Sequence, residues 1–501
     1  MPRRHSNRLT PPWLSSRALL TVLSGCPMRA AISVRPRMPA FSAQFRTSIT
    51  VLPARNVQRC CLQRCLRLAP SVNAPDPNWI KAQRLASARA MRAACSATGL
   101  VREREGFGWT VRPIPGSVLA STRIASWDPE PDYFHHWIRD SAIVLRAVPL
   151  AIRAEPEMRA FWLQFIADFV AFSLAASDPS RKGPVENPLK QSARPEFIQY
   201  LRPDAELAAL TGAAWLEEPR LSADGTPDLE QWGRPQDDGP ALRVTALTEV
   251  LQALPDAKSQ DADILIARDL DHVLRVAGRP CLGPWEEWPP RRSSFTLLVQ
   301  WDALDGAASR NGANAKMKLA ASRLEALMEQ AQDVKSGGWR ESIEAPPGML
   351  DSATCLALLH AARKDGPFAM TAERTRATVK GLERIFSDLY PINSGRAVPA
   401  IGRWSGDVFF GGNPWFPNTL GFAALHYRIA TLTREHAAFA KAEQWMALVQ
   451  QVAPDPGPLP EQFDRVSGKP RSCLNLTWSA AAFLEAAAAR EVAVQAAAGA
   501  R

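Results

Sequence analysis

The chain has 501 residues, 46 % of them apolar and 22 % charged, which is enough to bury a large core and is ordinary for a globular protein. Its net charge of +10 is unevenly placed: residues 1–75 hold twelve Arg and no Lys, Asp or Glu, which leaves 48 basic against 50 acidic groups in the remainder. The globular part therefore offers no basic excess for a polyanion, and no nucleic-acid partner is expected.

Residues 1–75 are rich in Arg, Pro and Ser, without acidic groups or clear periodicity. They read as a presequence-like extension or as the product of a start assigned too far upstream, and are set apart from the fold. Which of the two holds decides the compartment, cytoplasmic or exported. No apolar run of about 18 residues appears, since Ala30 to Ile49 is broken by Arg35, Arg37 and Arg46, so no membrane span is expected. Four of the eight Cys lie in this extension; Cys95, Cys281, Cys355 and Cys473 are scattered, which is neither a disulfide framework nor a zinc motif. No metal site is expected, because the His135-His136 pair cannot chelate alone.

From Asn78 the apolar spacing is helical. Helices are expected at about 78–98, 138–153, 156–177, 240–254, 259–277, 294–308, 314–333, 351–363, 371–388, 418–432, 434–451 and 474–498, with only short β-like runs between 111 and 126. Long irregular segments separate them at 178–239, 278–293, 334–350, 389–416 and 452–473, and loops of that length usually carry function. Twelve helices with long connections on alternate turns imply an all-α toroid of six helical hairpins over residues 76–501, the site lying where the long loops gather. An irregular two-layer helical bundle is the alternative that periodicity leaves open.

The stretch Leu282-Gly283-Pro284-Trp285-Glu286-Glu287-Trp288 places two adjacent carboxylates between two indoles, on a turn bounded by Gly-Pro and Pro-Pro. Like charge and low local polarity both push one carboxyl of such a pair toward its protonated form, as a general acid requires; an exposed acidic turn is the plain alternative. Trp137, Arg139 and Asp140 combine a stacking face, a fork of donors and a bidentate acceptor, although Asp140 and Ser141 also suit a helix start. Trp232-Gly233-Arg234-Pro235-Gln236, Arg403-Trp404 with Asn413-Pro414-Trp415, and Glu461-Gln462-Phe463-Asp464 are loops of the same flavour.

Taken in order, these blocks resemble the glucoamylase family (glycoside hydrolase family 15), from Pro131-Asp132-Tyr133-Phe134 to Leu476-Thr477-Trp478-Ser479. The resemblance implies an (α/α)6 barrel and an inverting exo-acting α-glucosidase that releases glucose from non-reducing ends of α-1,4-glucans without metal or cofactor. By position Glu286 matches the general acid and Glu461 the general base, a pair that works across about 6.5–9.5 Å. Arg139, Asp140, Glu287 and Arg403 match sugar-hydroxyl contacts, and Trp137, Trp232 and Trp415 aromatic wall positions; Trp285 belongs to the same substrate-binding set. Two departures stand out. Gly283 replaces an Asp frequent in the family, which puts linkage preference in question, and His135-His136 replaces a tyrosine-threonine pair. The chain closes soon after the last expected helix, so a starch-binding module is not expected and soluble oligosaccharides are the expected substrates. A trehalase, an α-1,6-glucosidase and a non-catalytic sugar-binding barrel are the competing readings.

Overall fold

The computed structural model describes residues 74–123, 130–310 and 314–498, so the expectations for the basic extension fall, but for its last two residues, outside the described residues. The helices run in the order α1 (Pro77–Ala94), α2 (Ile138–Arg146), α3 (Val148–Ala154), α4 (Arg159–Ala176), the short α5 (Asp204–Ala208), α6 (Gly239–Ala253) and α7 (Gln260–Val276). They continue as α8 (Ser294–Arg310), α9 (Ala315–Gln330), α10 (Ser352–Ala361), α11 (Glu373–Leu389), α12 (Phe416–Thr433), α13 (His436–Val452) and α14 (Thr477–Ala498).

Two kinds of helix alternate. α12 is buried at every residue from Phe416 to Tyr427, and a helix without a polar face must be enclosed on all sides. α7 instead buries Ala262, Leu265, Asp269, Val273 and Val276, one stripe at helical spacing, and starts on the Ser259 side chain, which caps the Ala262 amide. The enclosed helices α2, α6, α8, α10, α12 and α14 pack side by side in that order, and α14 returns to α2. Outside them α7 lies on α6, α9 on α8, α11 on α10, α13 on α12 and α1 on α14, while α4 packs on α7. This is the expected (α/α)6 barrel.

Local expectations were corrected in three places. The helix expected over 138–153 breaks at Ala147, because Pro149 has no amide to continue the ladder. The segment 178–239 is not irregular throughout; it holds α5 and three 3-10 turns. Of the small sheets, β1 (Arg102–Arg104) pairs with β2 (Trp109–Val111), β3 (His135–Trp137) with β4 (Arg220–Ser222), and β5 (Gln462–Phe463) with β6 (Pro470–Arg471). The stretch Pro156–Ala176 is long and apolar enough to cross a membrane by length and composition alone. In the fold it carries Trp162, Phe165, Ile166 and Phe169 into the core.

The loops that precede the inner helices are stitched to one another. The first amide of a helix has no partner inside it and must find one elsewhere. Here Ile138 donates to the Pro219 carbonyl at 3.0 Å, Ser294 to Glu341 at 2.8 Å, Ser352 to Arg403 at 3.0 Å, Phe416 to Glu461 at 2.9 Å and Thr477 to Ala120 at 2.9 Å. In each case the carbonyl belongs to the segment leading into the next inner helix of the ring. Leu282 donates to Pro235 at 2.9 Å and joins the remaining two loops. The residues singled out from the sequence all lie in these loops or in the first turns they lead into.

Candidate active site

β3 runs directly into α2, so strand register fixes Trp137 and the first helical turn fixes Arg139 and Asp140. Arg139 donates from Nη1 to Gln236 Oε1 at 2.9 Å, and its Nη2 stands 3.6 Å from Glu286 Oε1. Its Nε lies 3.3 Å from Asp140 Oδ2, an ion contact without hydrogen-bond alignment. Burial pushes Asp140 up to about 6 against the opposing pull of Arg139.

Glu286 sits in a tight turn closed by its amide on the Gly283 carbonyl at 3.0 Å, with φ at +62°. Its side chain is buried among donors. Trp137 Nε1 and Gln236 Nε2 donate to Oε1 at 2.8 and 2.9 Å, and Trp232 Nε1 donates to Oε2 at 2.6 Å. The indoles that enclose this carboxylate are therefore not the two that flank it in sequence. Trp288 is exposed, and Trp285 donates its N–H to both oxygens of Asp351, at 3.0 and 2.8 Å. Asp351 in turn caps the Ala353 amide at the start of α10.

The left-handed turn sends Glu287 the other way, to Arg403 Nη2 at 2.9 Å. Burial raises its pKa, with Arg403 opposing. Arg403 is forked onto Asp407 as well, and its guanidinium lies about equally near the faces of Trp285, Phe409 and Trp415, at 5.4, 5.2 and 5.4 Å. Trp415 packs on Trp285 with ring centroids 5.4 Å apart, and its own Nε1 is buried without a hydrogen-bond partner among the described residues.

Glu461 is 2 % exposed and anchored through its backbone on both sides: its amide donates to Cys473 at 2.7 Å and its carbonyl holds the first amide of α12. Tyr133 Oη donates to Oε1 at 3.1 Å, and the Ser472 hydroxyl donates to Oε2. Burial pushes this carboxyl up to about 7, while the Ser472 and Tyr133 hydrogen bonds and Arg403 pull it down. Tyr133 also meets Trp137 edge to face at 5.3 Å, so one aromatic pair carries Glu461 at one end and Glu286 at the other.

All ten residues singled out from the sequence thus gather in one network. Tyr133, Gln236, Asp351, Asp407 and Ser472 complete it, and sequence reasoning gave them no role. Tyr133 and Gln236 stood inside the recognised blocks; Asp351, Asp407 and Ser472 are single polar residues with no pattern around them. At Gly283 a Cβ would stand 3.3 Å from both Cβ and Oγ of Ser293, whose hydroxyl donates to Thr296 Oγ1 at 3.0 Å. A side chain there would need Ser293 to give by a few tenths of an ångström.

His135, Asp228 and Glu230 bring three potential ligand atoms within 4.8 Å of one another. Arg104, Arg220 and Arg234 already pair with these carboxylates, which makes the group an ion-pair network and a poor cation cage.

A family model described as Glycosyl hydrolases family 15 matches residues 208–488. Among curated proteins, Glucoamylase 1 of Rhizopus oryzae is 26 % identical over 488 residues, covering 84 % of this chain and 72 % of its own length. Glucoamylase-1 of Arthroderma benhamiae is 28 % identical, covering 77 % of this chain and 66 % of its own length. The solved structure of Hormoconis resinae glucoamylase aligns with a TM-score of 0.64 at 25 % identity, covering 82 % of this chain and 73 % of that one. Saccharomycopsis fibuligera glucoamylase aligns equally well, at 0.64, with 22 % identity over 85 % of this chain and 98 % of that one, a likeness that speaks to the fold. With its motifs in order, a closed ring of six helical hairpins and more than half its length under one family model, the chain belongs to glycosyl hydrolases family 15.

Proposed function

We propose that the protein is an inverting exo-acting α-glucosidase that releases glucose from the non-reducing ends of α-1,4-glucans and maltooligosaccharides. Glu286 delivers a proton to the glycosidic oxygen as the bond from C1 to that oxygen breaks. Glu461 takes a proton from the water that attacks C1 from the opposite face, so the glucose formed is the β anomer. The observation that carries this reading is the pairing itself: two buried carboxylates, 175 residues apart in the chain, anchored at the two ends of one Tyr133–Trp137 pair. The glucoamylase relatives support the substrate class. Arg139, Asp140, Glu287 and Arg403 offer the charged donors and acceptors that sugar hydroxyls take, and Trp137, Trp232, Trp285 and Trp415 the aromatic faces that sugar C–H groups stack on.

The test is glucose release from maltose, maltotriose, isomaltose and trehalose, with the first-formed anomer read by NMR. Maltose and maltotriose are expected to be cleaved fastest, with β-glucose appearing first. Preference for trehalose or isomaltose would move the protein to another specificity on the same fold, release of α-glucose would exclude inversion, and no release would leave a binding protein.

The base must be ionised to act, so kcat/KM is expected to fall as pH drops through about 7. Ser472→Ala removes a hydrogen bond made to the charged form. The acidic limb of the profile should then move up by about one pH unit, the scale expected for a hydrogen bond to an ionised group. An unmoved limb would detach Glu461 from that limb.

A further inference from the structure

Arg220 lies behind the two indoles that hold Glu286. The β3–β4 register sets it directly across from Trp137. Its guanidinium carbon lies 3.5 Å from the centroid of Trp232 and 5.0 Å from that of Trp137, and the two rings meet edge to face at 5.8 Å. The side chain is 1 % exposed and fixed from behind: Nε donates to Asp228 Oδ2 at 2.9 Å, and Nη2 stands 3.6 Å from Glu230 Oε2. Arg234 shares Asp228, from Nη2 to Oδ2 at 2.9 Å. Arg220 makes no ion pair with Glu286 among the described residues; what it presents to the site is a cation on the faces of two rings.

A planar guanidinium against an indole face holds the ring in place and draws electron density from it, which leaves the N–H more positive. The two N–H groups in question point at opposite oxygens of one carboxyl group. As that group gives up its proton, negative charge grows on the atoms they face, so fixed donors contribute more in the transition state than before it.

We propose that Arg220 is a positioning residue for leaving-group protonation, acting on Glu286 through Trp137 and Trp232. This rests on the assignment of Glu286 as the acid. The step to compare is departure of an alcohol, which needs a proton, with departure of fluoride, which leaves readily as the anion. Arg220→Met, Arg220→Lys and Glu286→Gln are to be assayed on maltose and on α-D-glucosyl fluoride. Arg220→Met should lower kcat on maltose about 10- to 100-fold, a share of what general acid catalysis supplies, with KM within about threefold and the fluoride rate within about twofold. Arg220→Lys keeps the charge without the fork and should recover part of the loss.

Equal losses on both substrates, or loss confined to KM, overturn the role of Arg220. Should Arg220→Met give no folded protein by circular dichroism, Arg220→Lys and Asp228→Asn carry the same comparison with the same two outcomes. Hydrolysis of maltose by Glu286→Gln at the wild-type rate would instead overturn the acid assignment on which the proposal stands.

Discussion

Glu461→Gln is expected to lower kcat on maltose by about a thousandfold, the middle of the range for a lost general base, while making the protein more stable at pH 8. The second effect follows from where the carboxyl sits. Its folded-state pKa is raised by burial from the ordinary 4.5 to about 7, so between those values the native protein holds a proton that the unfolded chain has released. Stability therefore falls as pH rises through that window, and the cost is present in full above it. At 1.36 kcal/mol per pH unit, the gap amounts to about 3 kcal/mol. An amide of the same shape carries no such cost. The substitution should raise the melting temperature by a few degrees at pH 8 and leave it unchanged at pH 4, where both states are protonated. A variant that is inactive and destabilised alike at both values would mean that Glu461 is held by shape and not by charge. The residue assigned as the base is thus a site where activity and stability pull in opposite directions.

Asp269→Ala is expected to cost about 3–5 kcal/mol, the range for removing one partner of a buried ion pair. Arg243 on α6 and Asp269 on α7 form a bidentate pair, Nε to Oδ2 and Nη2 to Oδ1, both at 2.7 Å. Their side chains are 3 % and 1 % exposed, and the pair joins an inner helix to its outer partner. Alanine leaves a buried guanidinium without its bidentate partner. Asp256→Ala is the control, since its pair with Arg159 is well exposed and such pairs contribute about 0.2–1 kcal/mol. Urea denaturation should show a large loss for the first and little for the second. Replacing Arg243 and Asp269 together by apolar residues should recover much of the loss, because the cost lies in the stranded charge. A single substitution at position 269 that costs no more than the control would sink the argument.

The helices were legible because one-sided burial writes itself into the sequence. α7 and α11 each carry a buried stripe at 3.6-residue spacing, and the enclosed helices read as apolar stretches of helix length between long polar loops. The break at Ala147 was less visible, since Pro149 is compatible with the start of a helix as well as with the end of one. In the site, the blocks identified what gathers but not who touches whom. The Glu286–Glu287 adjacency suggested mutual repulsion. Yet the backbone at Glu286 turns the two side chains apart, and the like charge that acts on Glu287 is chiefly Asp407, after burial itself. The indoles that mattered for Glu286 came from β3 and from the loop before α6, brought in by strand register and by the Leu282–Pro235 link. Such partners are chosen by tertiary closure, and no local pattern announces Ser472 or Asp351.

The closure also governs how the site can come apart. A loop tied only at its own two ends can open alone, and its opening costs little. Here the carbonyls of Arg403 and Glu461 each terminate the helix start of a neighbour, so releasing either loop strands an amide at the head of α10 or α12. A circle of such dependencies has no free end from which to fray. The six loops are therefore expected to open as one cooperative unit, with their amides exchanging hydrogen together and not loop by loop.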